Sequence, residues 1–225
     1  MMKIKTGLIK SISISLDGEN LVFDFRRAVF WSKINALIIA DLHIGKAGHF
    51  RKNGISVSDS VSIDDFKRLD ALIKSYSPKT LMILGDLSHS KMNKDWEHLL
   101  ELRTAYPNLK ILLVPGNHDI LPKSAYDEAN IQETKPIHEI APFIFIHESK
   151  SEIDAQSRQF SGHVHPGVRL KGAARQAITL PCFYISDSNV ILPAFSGFTG
   201  RHKIKPRKND TILAITSKGM FQIDK

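Results

Sequence analysis

The chain of 225 residues contains a single cysteine, Cys182. An internal disulfide is therefore excluded, and the fold must hold by packing alone, which suits a reducing compartment. No apolar run approaches the ~20 residues of a membrane span. The opening residues are broken by Lys3, Lys5 and Lys10 and lead into the alternating segment Ser11 to Leu16, without the unbroken apolar stretch of a signal peptide. A cytoplasmic protein with no membrane association is expected. Repeats, low-complexity tracts and linkers are also missing, so one domain spanning residues 1–225 is expected at ~150 residues per domain. Acidic residues are in deficit: 23 Asp and Glu against 31 Lys and Arg leave a formal +8 and a sequence pI near 9.5. That balance favours polyanionic partners such as nucleic acid. The composition itself, 42% hydrophobic and 24% charged, is globular and excludes a disordered or collagen-like chain.

Short apolar runs bounded by polar, Gly or Pro residues predict buried strands at Ala36 to Ala40, Thr80 to Leu84, Lys110 to Val114 and Phe143 to Ile146. Between the first two, Ile63, Phe66 and Ile73 recur at helical spacing, with Ser62 and Asp65 as capping candidates. Between the next two, Trp96, Leu99, Leu100 and Arg103 predict a second helix over Lys94 to Ala105. The C-terminal third changes to strands at Cys182 to Ile185, Asn189 to Leu192, Thr211 to Ile215 and Met220 to Ile223. With N-terminal strands at Ile12 to Leu16 and Leu21 to Phe25, the pattern predicts an α/β fold of two facing mixed sheets flanked by helices. The basic stretch Arg201 to Lys208 reads as a loop.

Ten histidines are many for this length, and their placement is informative. Ala40 is followed by Asp41-Leu42-His43, Leu84 by Gly85-Asp86, and Pro115 by Gly116-Asn117-His118-Asp119. Ile146 is followed by His147, and Ser161 by Gly162-His163-Val164-His165. Each cluster lies just past a predicted strand's carboxyl end, where α/β sheets bind ligands. In an extended segment Asp41 and His43 would project to one side, as would His163 and His165. Imidazole, carboxylate and one amide form a mixed N/O donor set that suits Mn, Fe, Zn, Co or Ni better than Mg. Seven candidate ligands are too many for one catalytic zinc and suit two ions sharing a carboxylate.

These five clusters together resemble the signature of the calcineurin-like metallophosphoesterase superfamily, a four-layer sandwich. The resemblance implies that Asp41, His43, Asp86 and His165 hold one metal, and that Asp86 bridges to a second held by Asn117, His147 and His163. It also implies that His118 faces the phosphoryl group and that a metal-bridging hydroxide attacks phosphorus, with manganese the first expectation for both ions. Asp119 would orient a neighbouring group. A narrower likeness runs through Asp41 to Ile55, Gly162 to Val168, Leu180 to Phe183 and Leu192 to Gly200. Those segments are similar to the ligase-associated DNA damage response endonucleases, which implies a repair role and DNA ligase or helicase partners.

The substrate is argued from what flanks the clusters. Leu87-Ser88-His89-Ser90 follows Gly85-Asp86, without the Asp-Arg of the Ser/Thr protein phosphatases, and Gly-Asn-His-Asp stands where those enzymes have Gly-Asn-His-Glu. Lys46, His49, Phe50, Arg51 and Lys52 follow the first cluster; Arg169, Lys171 and Arg175 follow the last. Cations for phosphates and an aromatic ring for a base are what a nucleic-acid strand requires. His89, three residues past Asp86, is a further candidate for substrate contact. A DNA or RNA phosphodiesterase is expected, with a small-molecule or cyclic-nucleotide phosphoesterase and a non-catalytic metal-binding scaffold as alternatives.

Overall fold

The computed structural model describes residues 3–52, 60–89, 92–150, 157–172 and 176–224. Arg175 and the side chains of His49 and Arg51 lie outside the described residues. In chain order the first half comprises β1 (Lys3–Ile4), β2 (Ser11–Leu16), β3 (Glu19–Asp24), β4 (Ala28–Trp31), β5 (Ala36–Ile39), α1 (Lys46–Lys52), α2 (Ser60–Tyr76), β6 (Thr80–Leu84), α3 (Trp96–Ala105) and β7 (Lys110–Val114). There follow α4 (Lys123–Glu128), β8 (Ile131–Glu133), β9 (Ile137–Ile140), β10 (Phe143–Ile146), β11 (Arg158–Ser161) and β12 (Pro166–Lys171). The last third is β13 (Ala177–Ile185), β14 (Asn189–Ile191), β15 (His202–Lys203), β16 (Thr211–Thr216) and β17 (Gly219–Asp224).

Two mixed sheets result. One runs in the order β2-β3-β4-β5-β6-β7-β8, antiparallel up to β5 and parallel beyond it. The other contains β1-β17-β16-β13-β14-β11-β10-β9, with β12 and β15 attached through β13, and its parallel pairs include β10 with β11 and β11 with β14.

The alternation of strand side chains explains the layering. On β5, β6 and β7, Leu37, Ile39, Leu81, Ile83, Ile111 and Leu113 pack against Phe66, Leu69 and Ile73 of α2 and Trp96 and Leu99 of α3. The intervening Ile38, Met82, Leu84 and Leu112 face the second sheet, where they meet Phe143, Phe145, Phe160 and Phe183. A parallel strand buried on both faces must be apolar at every position, which is why these strands were continuous apolar runs in the sequence. Full burial of one such Phe stabilises by roughly 1.5–3 kcal/mol.

The expected architecture of two mixed sheets flanked by helices is present, with α2 and α3 on the outer face of the first sheet. The outer face of the second, built on Cys182, Ile212, Ala214 and Ile223, is covered by Val168, Leu170, Leu180 and Ile204. Two local expectations are corrected. Ser62 and Asp65 are not caps but lie inside α2. Ser62 Oγ donates to Asp95 Oδ2 at 3.0 Å, and buried Asp65 accepts the Gly197 N–H at 2.9 and 3.0 Å, a long-range link outweighing a local one. Within Arg201 to Lys208, His202 and Lys203 form β15 against Pro166 and Gly167.

Candidate metal centre

The carboxyl ends of β5, β6 and β7 in one sheet and of β10 and β11 in the other deliver Asp41, Asp86, Asn117, His147 and His163 to one edge of the sandwich. The backbone there is not extended, contrary to the reading of Asp41 with His43 and of His163 with His165 as strand-like pairs. Asp41, His43, Asp86, His163 and His165 all have positive φ, at 56°, 50°, 50°, 63° and 49°. Each non-glycine residue in that region costs roughly 1–2 kcal/mol, and strain of this kind concentrates at functional sites. Hydrogen bonds hold the turns: Asp41 N–H to Gly85 O at 3.1 Å, His43 N–H to Asp86 O at 2.8 Å, and Gly162 N–H to His147 O at 3.0 Å.

Two triples of potential ligands result. Asp41, His43 and His165 bring one donor atom each within 4.8 Å of one another, and Asp86, His147 and His163 do the same. The turns thus separate His163 from His165, one to each triple. Asp86 touches both triples: Oδ2 lies 3.8 Å from His43 Nε2 and Oδ1 lies 3.4 Å from His147 Nε2. His147 Nδ1 donates to Leu84 O at 3.0 Å, which leaves its Nε2, facing Asp86 and His163, as the potential ligand atom.

The donor chemistry fits divalent cations. Asp41 and Asp86 are buried carboxylates, and among the described residues neither forms an ion pair with a lysine or arginine. Their partners are imidazoles. Burial above all, with Lys46 beside it, pushes the His43 imidazole down to about 2, so His43 is neutral and leaves the carboxylates uncompensated. His43 Nε2 and His165 Nε2 stand 3.3 Å apart, as do His147 Nε2 and His163 Nδ1 at 3.1 Å. His43 Nδ1 is buried without a hydrogen-bond partner. Buried carboxylates with imidazole nitrogens converging on them are the environment a metal ion satisfies.

Other residues line the approach. The His118 side chain is exposed while its N–H donates to Asp86 Oδ1 at 2.9 Å, and Asn117 stands exposed beside it. Asp119 belongs to neither triple: it accepts Ser88 N–H at 3.1 Å and Gly116 N–H at 2.9 Å, tying two loops together. Burial pushes its carboxyl above the usual range, against those two hydrogen bonds. Burial lowers the Lys46 ammonium, opposed by the charges of Asp86 and Asp41, which places this cation within the field of the centre. The His89 ring lies 4.9 Å from that of His118 and 6.4 Å from that of Phe50. Arg169 is exposed on β12, four residues beyond His165.

Three participants escaped sequence reasoning. Phe198 meets the Phe50 ring edge-on at 5.3 Å, Glu148 Oε1 lies 3.7 Å from His163 Nε2, and Ser88 bonds both Asp119 and the His118 carbonyl. An aromatic residue between the glycines at 197 and 200 was the available signal for Phe198. Glu148 and Ser88 adjoin the clusters, but nothing in their residue type or spacing marks them.

Comparison with known proteins adds three findings. The family model for calcineurin-like phosphoesterases matches residues 34–151. The crystal structure of the nuclease MPE of Pseudomonas putida is similar at a TM-score of 0.78 and 29% identity, covering 91% of this chain and 96% of that one. The E. coli phosphoesterase Yfce is similar at a TM-score of 0.47 and 14% identity, covering 82% of this chain and 95% of that one. Among curated proteins, none matches the sequence.

Proposed function

Because the chain belongs to the calcineurin-like phosphoesterase family, whose model spans just over half of it, we propose that it hydrolyses phosphodiester bonds in DNA or RNA with two divalent metal ions. The observation that carries this reading is the double triple of Asp41, His43 and His165 with Asp86, His147 and His163, flanked by the Phe50, His89 and Phe198 rings. Likeness to the Pseudomonas nuclease supports the nucleic-acid substrate.

In this reading each triple holds one ion, with Asn117 added to the second triple and Asp86 shared. Manganese suits the mixed N/O set, as do Fe, Zn, Ni or Co. Such ions polarise phosphoryl oxygens and lower the pKa of bound water. His118, exposed beside the triples, stabilises the charge that develops on the phosphoryl oxygens or delivers a proton to the leaving oxygen. Asp119 acts through the backbone, fixing the loop of His118 against Ser88. Lys46 adds positive charge for the phosphate, Phe50, His89 and Phe198 offer stacking faces for a base, and Arg169, His49 and Arg51 are further candidates for strand contact. A role in DNA repair beside a ligase or helicase rests on the sequence likeness of the Asp41 and Gly162 motifs to the ligase-associated endonucleases.

The deciding experiment strips metal, restores Mn, and compares a bis-aryl phosphodiester, the matching monoester and single-stranded DNA, with Asp86→Ala and His118→Ala as controls. Diester and DNA cleavage lost in both variants supports the proposal. Monoester turnover alone replaces it with a small-molecule phosphatase, and no turnover despite two bound metals replaces it with a scaffold.

A further inference from the structure

Behind the Asp41 and His165 half of the centre lies a second concentration of charge. A cavity of about 390 Å³ is walled by Arg26, Arg27, Arg68 and Arg201, with Leu180 and Pro181 on its apolar side. Two of the four guanidinium groups are balanced, Arg26 by Asp24 at 2.8 Å and Arg68 by Asp65 at 2.6 Å. Arg27 and Arg201 have no carboxylate partner among the described residues. Arg27 directs Nη1 to the carbonyl oxygens of Ala194, Phe195 and Ser196, at 3.0, 3.2 and 2.6 Å, and Arg201 directs Nη1 to Thr179 O at 3.2 Å. Among the described residues their remaining N–H groups make no hydrogen bond, and Arg68 Nε is buried without one. Burial first and then the charge of Arg68 push the Arg27 guanidinium down to about 10, with Asp65 opposing the fall and Arg201 adding to it. With Asp24 and Asp65 already engaged by Arg26 and Arg68, the cavity keeps a surplus of positive charge that an anion would balance.

The cavity is tied to the metal-type cluster by two lines of backbone. The carbonyls gripped by Arg27 belong to a strap whose Phe195 N–H donates to Ala40 O at 2.7 Å and whose Ser196 N–H donates to Asp41 O at 3.1 Å. One residue past Arg201, the His202 N–H donates to His165 O at 3.0 Å. A narrower cleft shares Arg27, Pro181 and Arg201 with the cavity and reaches His165 itself.

We propose that this arginine cavity is a second phosphate site, taking a backbone phosphodiester of the same nucleic-acid strand whose scissile phosphate lies at the metal centre. The guanidinium fork matches two phosphate oxygens at once, which a lysine point charge does not, and the Leu180 and Pro181 wall suits the sugar. The inference rests on the nucleic-acid reading above and deepens it: substrate length matters because the strand is gripped at two places.

The test compares wild type, Arg201→Ala and Arg201→Lys, all loaded with Mn, on a bis-aryl phosphodiester and on a single strand of about twelve nucleotides, long enough for both sites. Arg201 is exposed, so both variants should fold. The ratio of kcat/KM for the oligonucleotide to that for the aryl diester should fall about tenfold in Arg201→Ala, through KM, with the salt slope of binding reduced by about one. Arg201→Lys should recover part of that loss. An unchanged ratio, in an enzyme that does cleave the oligonucleotide, overturns the cavity proposal and leaves the nuclease reading standing. Wild type that cleaves the aryl diester but no oligonucleotide overturns the nuclease reading and this one with it. If inorganic phosphate raises the melting temperature through Arg201 while the ratio is unchanged, the cavity takes a free anion and the strand proposal fails.

Discussion

The backbone N–H of His163 donates to both carboxylate oxygens of Asp41, at 3.1 and 3.0 Å, across a gap of 122 residues. One carboxylate thereby sets the position of a turn in the opposite sheet while its Oδ1 lies 3.4 Å from His165 Nε2. Gly162 makes the approach possible, since a Cβ there would sit 2.4 Å from Asp41 Oδ2.

An Asp41→Asn substitution should therefore do more than remove one negative ligand. Its remaining oxygen would still accept the His163 N–H, but the NH2 that replaces the other oxygen would stand against that same donor at a buried position, which costs about 1 kcal/mol. In the wild type, removing metal with a chelator and restoring Mn should lower and then raise the melting temperature, because bound ions stabilise by about 4 kcal/mol at a thousandfold excess over Kd. The variant should melt lower than wild type without metal and gain less from Mn in differential scanning calorimetry. An Mn-dependent gain equal to that of wild type would remove Asp41 from the ligand set.

How much of this was legible in the sequence depends on the range of the interactions involved. Strands β6, β7 and β10 begin and end as read, because strands buried on both faces leave continuous apolar runs such as Phe143 to Ile146. Helix α1 was not read as a helix: Lys46 to Lys52 contains Gly48 and no apolar periodicity, and its place is set by the turn before it. The residue types that converge in the two triples were legible, but their turn conformation was not, since nothing in Asp-x-His distinguishes φ of 56° from an extended strand. Contacts made only by folding were invisible: Arg27 with Ser196 spans 169 residues, and Phe50 meets Phe198 from the far end of the chain.

Asp119 is expected to act through position rather than by touching substrate. Asp119→Asn keeps one acceptor and sets an NH2 against either Ser88 N–H or Gly116 N–H, loosening the loop that carries His118. A loss of roughly ten- to a hundredfold in kcat is expected, the range typical of groups that orient a metal site from behind. Metal stoichiometry should stay at the wild-type value by elemental analysis, since Asp119 belongs to neither triple. A kcat within twofold of wild type would leave Asp119 no positioning role.

Two glycines of similar conformation should respond differently to alanine. Gly85 has φ +71° and a Cβ there would lie 2.2 Å from His147 Nδ1, whereas Gly18 has φ +83° and nothing within 4 Å. Gly18→Ala should cost only the backbone term, roughly 1–2 kcal/mol. Gly85→Ala adds a clash with a ring that has no room to retreat, so about 3 kcal/mol or more is expected, together with loss of activity. Urea denaturation distinguishes the two, and equal losses would mean that His147 is free to move.

Cys182 provides a measure of the second sheet. It is fully buried on the outer face of β13, and burial pushes its thiol up from about 9 to about 12, outweighing the hydrogen bond with the Val168 backbone. A raised folded-state value means that the stability contributed by keeping this thiol protonated is complete below about pH 9 and is lost as pH rises toward about 12. Denaturation of Cys182→Ala should show a shallower fall of stability over that window than wild type, while both are flat with respect to this group at neutral pH. In native protein at pH 8 a thiol reagent should modify Cys182 only as fast as the sheet opens, so modification should accelerate with denaturant. Rapid modification without denaturant would show that the cover formed by Val168, Leu170 and Leu180 opens on its own.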